Sequence, residues 1–216
     1  MRSQVLFGRF LVQIISAIVL VLVASSAMAD SNKPVANTIL VFGDSLSAGY
    51  NMQPANGWVA LLQARINQQK LPYTVVNASV SGETTSGGLT RFNNALNTHK
   101  PNIVILELGG NDGLRGLPIT EMQSNLNQLL LMPKGTKVLL LGMQIPPNYG
   151  LKYAQQFSQQ YQQLAQKHRA NLVPFFLDGV AGKPDLIQND GIHPNELAQP
   201  ILLENVWQKL VNMLKK

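Results

Sequence analysis

The chain has 216 residues, with 17 Lys and Arg against 11 Asp and Glu for a formal charge of +6, and it contains no cysteine. That length suits one domain of ordinary size, and without cysteine there is no disulfide and no lipid anchor on a processed thiol, so stability must come from the core. The basic surplus is mild and forms no run of five or more, and Lys215-Lys216 reads as a frayed helix end, so no nucleic-acid partner is expected.

Arg2 and Arg9 mark a short charged start, and Leu11 to Ala24 is an apolar run interrupted only by Gln13 and Ser16. It leads to Ala27-Met28-Ala29 before Asp30, the small-residue pattern of a cleavable secretory signal peptide. The run falls short of the roughly 20 apolar residues a spanning helix needs. The expected organisation is a leader at 1–29, a mature domain at 30–216, a periplasmic or secreted location and no stable membrane insertion after processing.

Beyond the leader, short apolar runs alternate with longer segments of helical period, the pattern of an α/β domain on a parallel sheet. Ile39 to Phe42, Tyr73 to Val76, Ile103 to Leu108, Lys137 to Leu141 and Leu172 to Phe175 read as five strands. Between them, Trp58, Leu61, Leu62 and Ile66 recur at helical spacing, as do Leu89, Phe92 and Leu96, then Met122, Leu126, Leu129 and Leu130. The glutamine-rich stretch from Gln155 to Gln166 keeps that period through Tyr153, Phe157, Tyr161, Leu164 and Ala165, which predicts a solvated helix with a buried seam. Val206, Leu210 and Met213 predict a last helix. Right-handed crossovers then give a three-layer α/β/α sandwich, flavodoxin-like, whose ligands gather at the carboxyl ends of the strands.

Gly43-Asp44-Ser45-Leu46-Ser47 follows the first strand and puts a serine at such an end. It lacks the second glycine of G-x-S-x-G, and taken alone it reads equally as a turn. A serine nucleophile needs a base. His99 and His168 sit where exposed helix ends are expected, whereas His193 lies in Asp190-Gly191-Ile192-His193-Pro194 with a carboxylate three positions before it. A turn of that spacing can bring Asp190 onto one imidazole nitrogen and leave the other for the serine, and Pro194 restricts the backbone of His193. An Asx turn or half of a metal site would use the same residues, but no further ligand cluster supports a metal, and no cofactor is expected. Leu108-Gly109-Gly110-Asn111-Asp112-Gly113 follows the third strand and offers the Asn111 amide as an oxyanion donor. Gly82, in the segment Ser81 to Gly87, can bring a backbone N–H close to a ligand.

Together GDSLS, SGETTSGG, GGND and DGIHP resemble the ordered blocks of the SGNH hydrolase family across nearly the whole mature chain. The resemblance implies Ser45 as nucleophile, His193 as base oriented by Asp190, and an oxyanion hole from the N–H groups of Ser45 and Gly82 with the Asn111 amide. Within the family, GGNDGLRG, IPPNYG and Asn189-Asp190-Gly191 resemble the multifunctional periplasmic thioesterase, lysophospholipase and protease type, also described as arylesterases. That type implies an acyl crevice bordered here by Ile145, Pro146, Asn148 and Tyr149, and substrates that are acyl esters, thioesters or lysophospholipids. A monomer is expected.

A carbohydrate O-acetylesterase would use the same five residues with a more polar pocket, although the only tryptophans, Trp58 and Trp207, fall in helical stripes that predict core positions. A ligand-binding module on this fold is the non-enzymatic alternative; it would have no need to keep Ser45, Asp190 and His193 together.

Overall fold

The structure is a computed structural model that describes residues 37–214. The leader reading at 1–29 and the Lys215-Lys216 pair lie outside the described residues. Five parallel strands, β1 (Asn37–Gly43), β2 (Tyr73–Asn77), β3 (Ile103–Glu107), β4 (Lys137–Leu141) and β5 (Asn171–Val173), form one sheet in the order β2-β1-β3-β4-β5. Residues 39 to 42 of β1 are all fully buried, and every residue of β3 is buried. Strands covered on both faces take apolar side chains at nearly every position, which is why these runs are close to continuous and do not alternate.

Helices α1 (Ser45–Ala48), α2 (Trp58–Gln68), α3 (Thr85–His99), α4 (Gly110–Leu114), α5 (Ile119–Leu131), α6 (Leu151–His168) and α7 (Gln199–Leu210) connect and cover the strands. The pair α2 and α7 packs together, while α3 packs on α5 and α5 on α6, so the sheet lies between two helical layers. Phe42 and Phe92 meet at 4.6 Å between ring centroids, and Trp58 meets Phe176 edge-on at 5.5 Å. Each such side chain, fully withdrawn from water, contributes about 1.5–3 kcal/mol. Both tryptophans are buried, as their helical spacing predicts. In α6 the seam is Phe157, Tyr161, Leu164 and Ala165, and most of the glutamines face solvent.

Four strands differ from the sequence reading: β1 is longer at both ends, β2 runs one residue further to Asn77, and β3 and β5 end early. β3 ends at Glu107, one residue early, because Gly109 turns with φ +110° into α4. A Cβ at Gly109 would run into the hydroxyl of Tyr161, so only glycine fits that turn. β5 is Asn171–Val173 and not Leu172 to Phe175, since Pro174 has no N–H for the ladder; the chain there bends back and the Phe176 N–H donates to the Gly142 carbonyl. Met213 belongs to a 3-10 turn, Val211–Met213, that follows α7.

Candidate active site

The strand order reverses between β1 and β3, so the chain leaves these two central neighbours in opposite directions and opens a crevice at their carboxyl ends. β1 delivers Gly43 and Asp44 there, and Asp44 caps α1 by accepting the Leu46 N–H on Oδ1 at 3.0 Å. Ser45 is the first residue of that single turn and is 8% exposed.

His193 arrives on the loop before α7. Its Nε2 lies 2.9 Å from Ser45 Oγ and its Nδ1 lies 2.6 Å from Asp190 Oδ2. Asp190 Oδ1 also accepts the backbone N–H groups of Ile192 at 2.9 Å and His193 at 3.0 Å. Desolvation works against the charge on Asp190, but those two N–H groups and the imidazole outweigh it and pull the carboxyl down to about 2. An ionised Asp190 can only accept, so Nδ1 carries the hydrogen and Nε2 turns a lone pair toward the serine hydroxyl. The ring of Tyr50 covers the imidazole at 4.5 Å. Gln188 anchors the loop, donating to the carbonyls of Tyr50 and Pro194, both at 3.0 Å, and accepting from Asn51 at 3.2 Å.

Across the crevice, Asn111 Nδ2 donates to Asp44 Oδ2 at 3.0 Å, which fixes the amide beside the serine turn. Gly82 is exposed with φ +79°, and its carbonyl accepts from Arg115 Nη2 at 2.9 Å. Both segments are held by a side chain the sequence reading missed. Asp112, 2% exposed, accepts the Thr85 N–H at 2.9 Å and the Thr85 hydroxyl at 2.5 Å, and Asn125 donates to the same hydroxyl at 3.1 Å. Arg91 pairs with Glu83, donates to the Ala78 carbonyl at 2.6 Å and stacks 3.9 Å over the Phe42 ring.

Beneath the serine turn lies a second missed group, Glu107, fully buried at the end of β3. Its Oε2 accepts the Ser47 hydroxyl at 2.7 Å and the Asp44 N–H at 3.2 Å. Burial, then the neighbouring Asp44, pushes Glu107 well above the usual carboxylate range. Burial also raises Asp44 to about 6, against the pull of the Leu46 N–H and the Asn111 amide. The signal available in the sequence was one acid inside the apolar run Ile103 to Leu108.

His99 and His168 are not brought to this edge; each sits half-buried at a helix end, less exposed than expected, and His168 Nε2 contacts Asn127 Oδ1 at 3.0 Å. Of the expected crevice residues, Ile145 is buried against Gly113, whereas Pro146, Asn148 and Tyr149 are exposed and the Tyr149 hydroxyl donates to the Leu114 carbonyl at 3.3 Å. Among the described residues no group of three or more His, Cys, Asp or Glu can hold a metal, and no helix is long and apolar enough to cross a membrane. A hydroxyl, an imidazole and a carboxylate in line, next to an amide donor, can carry out acyl transfer through the serine.

The profile of the GDSL-like Lipase/Acylhydrolase family matches residues 41–199. The chain is 49% identical over 186 residues to Esterase TesA of Pseudomonas aeruginosa, covering 85% of this chain and 92% of that protein. It is 42% identical over 177 residues to Thioesterase 1/protease 1/lysophospholipase L1 of Escherichia coli K12, covering 81% and 84%. Among solved structures, the psychrotrophic esterase EstA from a Pseudoalteromonas species, inhibited by monoethylphosphonate, superimposes with a TM-score of 0.78 at 41% identity over 82% of this chain and 98% of that one.

Proposed function

The chain belongs to the GDSL-like lipase/acylhydrolase family and hydrolyses ester bonds, and we propose that it does so through an acyl-enzyme on Ser45. The observation that carries this reading is the unbroken line Ser45 Oγ, His193 Nε2, His193 Nδ1, Asp190 Oδ2, with spacings of 2.9 and 2.6 Å. His193 takes the hydroxyl proton as Ser45 attacks the acyl carbonyl, and Asp190 stabilises the imidazolium. The oxygen that becomes negative is met by the N–H groups of Ser45 and Gly82 and by the Asn111 amide. His193 then gives its proton to the departing alcohol or thiol, and water, deprotonated by the same imidazole, releases the acid and restores Ser45.

The substrates are acyl esters and thioesters with medium to long aliphatic chains, including aryl esters and lysophospholipids; the names of the similar proteins support the ester, thioester and lysophospholipid classes. The acyl chain runs along the segment of Ile145, Pro146, Asn148 and Tyr149. The Tyr149 bond to the Leu114 carbonyl supports this by holding that segment against the one that carries Asn111. The leader reading places the enzyme in the periplasm or outside the cell, where a lysophospholipid is within reach. Each methylene taken up by the crevice contributes up to about 0.8 kcal/mol, so kcat/KM rises by an order of magnitude or more over a few carbons. The test is kcat/KM on p-nitrophenyl esters from acetyl to palmitoyl, with a fluorophosphonate probe to identify the labelled residue. Label on Ser45 and a maximum beyond acetyl are expected. A profile that peaks at acetyl replaces this substrate class with O-acetyl esters, and label on Ser47 overturns the nucleophile.

A further inference from the structure

Glu107 takes no part in the reaction described above, yet it is fully buried and directly under the residues that do. It pairs with Gly43 across β1 and β3, and a Cβ at Gly43 would lie 2.5 Å from Glu107 Oε2, so the carboxyl fits only because that position is glycine. Oε2 receives the Ser47 hydroxyl and the Asp44 N–H, while Oε1 has no hydrogen-bond partner among the described residues. Neither Glu107 nor Asp44 has a cationic ion-pair partner there: Arg91 approaches, with Nη2 3.4 Å from the Gly43 carbonyl, but its ion pair is with Glu83. The remaining titratable groups around the pair are His193 from the last loop and Tyr161 from α6, and Tyr161 also feels Asp112 of α4.

We propose that Glu107 is a positioning residue, held as the neutral acid so that Asp44 alone carries the charge that aims the Asn111 amide. The role rests on the reading in which Asn111 donates to the oxyanion. Two carboxylates side by side in a water-excluded pocket repel, so one keeps its proton. A proton on Oε1 leaves Oε2 free to accept both of its hydrogen bonds and removes the charge from the oxygen without a partner. Asp44 is the better anion of the two, because Oδ1 and Oδ2 each have a donor, from Leu46 and Asn111. The directions agree: Glu107 is pushed well above the usual range, whereas Asp44 rises only to about 6. Above that pH a single negative charge lies beneath the serine turn, enough to orient Asn111. A second would oppose the oxyanion as it forms.

Glu107→Gln keeps the shape and an accepting oxygen and cannot ionise, and Glu107→Ala removes the acceptor for both donors. The glutamine variant is expected to stay within about threefold of wild type in kcat and KM, whereas the alanine variant loses tenfold or more in kcat with KM little changed. The infrared difference spectrum between wild type and Glu107→Gln at neutral pH is expected to show a protonated-carboxyl C=O band present in wild type alone. Should the alanine variant not fold, that band and the glutamine kinetics decide the matter. A carboxylate band in place of the acid band, or a glutamine variant that loses tenfold or more in kcat, overturns the proposal. Failure of the phosphonate to label Ser45 would instead overturn the acyl-enzyme reading and leave the infrared result standing.

Discussion

Asparagine at position 190 replaces one carboxylate oxygen by an amide NH2 and leaves the volume nearly unchanged. The carboxylate of Asp190 accepts three hydrogen bonds, two backbone N–H groups on Oδ1 and the imidazole on Oδ2. An amide has one oxygen. If that oxygen keeps the two backbone donors of Ile192 and His193, which fix the loop, the NH2 group must face Nδ1 of His193. The ring then carries its hydrogen on Nε2 and presents a donor to Ser45 where the reaction needs an acceptor. Loss of the right tautomer in a triad costs about 10⁴ in kcat, or roughly 5.4 kcal/mol of transition-state stabilisation. The assay is steady-state hydrolysis of a p-nitrophenyl ester by Asp190→Asn, with circular dichroism to show that the fold is kept. A loss of less than about tenfold in a folded variant would refute the reasoning, because His193 would then be oriented by something other than Asp190.

Asn111→Ala is expected to lower kcat by about 10² to 10³ with the phosphonate still attaching to Ser45, since the amide serves the oxyanion and not the nucleophile; unchanged kcat would remove it from the oxyanion hole. Gly43→Ala forces a Cβ to 2.5 Å from Glu107 Oε2 and 2.9 Å from its backbone carbonyl in the middle of the sheet, so the urea midpoint should fall by the equivalent of about 1–3 kcal/mol. Activity is expected to be the same with and without EDTA, and a loss reversed by a divalent ion would contradict the metal-free mechanism. Asp190 has its carboxyl lowered from 3.8 to about 2, so its contribution to stability is fully present above the unfolded value and is lost as pH falls toward 2. Asp44 has the opposite sign: with its carboxyl raised to about 6, its ionisation removes stability as pH rises from about 4 to 6, and Asp44→Asn should flatten that part of the profile measured by denaturant titration.

The sheet was legible because burial on both faces demands apolar side chains along Ile39 to Phe42 of β1 and Ile103 to Leu106 of β3, a pattern that survives without any knowledge of partners. The helix through Gln155 to Gln166 was legible for a related reason, since four buried residues at helical spacing outweigh a polar composition. The end of β5 was misread because Leu172 to Phe175 has the composition of a strand, and the missing N–H of Pro174 counted for too little. Ser45, Asp190 and His193 could be picked out because they lie in short segments at predicted strand ends or in the last loop, and the structure brings them within hydrogen-bonding distance. Asp112, Thr85 and Arg91 could not be, because each acts across a separation in the chain that no local pattern records: Thr85 and Asp112 are 27 residues apart, and Asp44 and Glu107 are 63. Glu107 left a trace of its own, as one acid inside the apolar run Ile103 to Leu108.

The anchors around the crevice divide it into two mechanical units. Gln188 fastens the His193 loop to Tyr50 and Asn51, just past the serine turn, so nucleophile and base travel together. Asp112 fastens the start of α3 to α4, so the Gly82 segment and Asn111 travel together as well. The Asp44 to Asn111 hydrogen bond couples the two bodies, together with the longer bond from Arg91 of α3 to the Gly43 carbonyl. When the fold is loosened short of unfolding, by mild denaturant or heat, this joint is expected to give before either body does. The first capacity to fail is then the alignment of the oxyanion donors with the serine, while the proton relay from Ser45 to His193 still works.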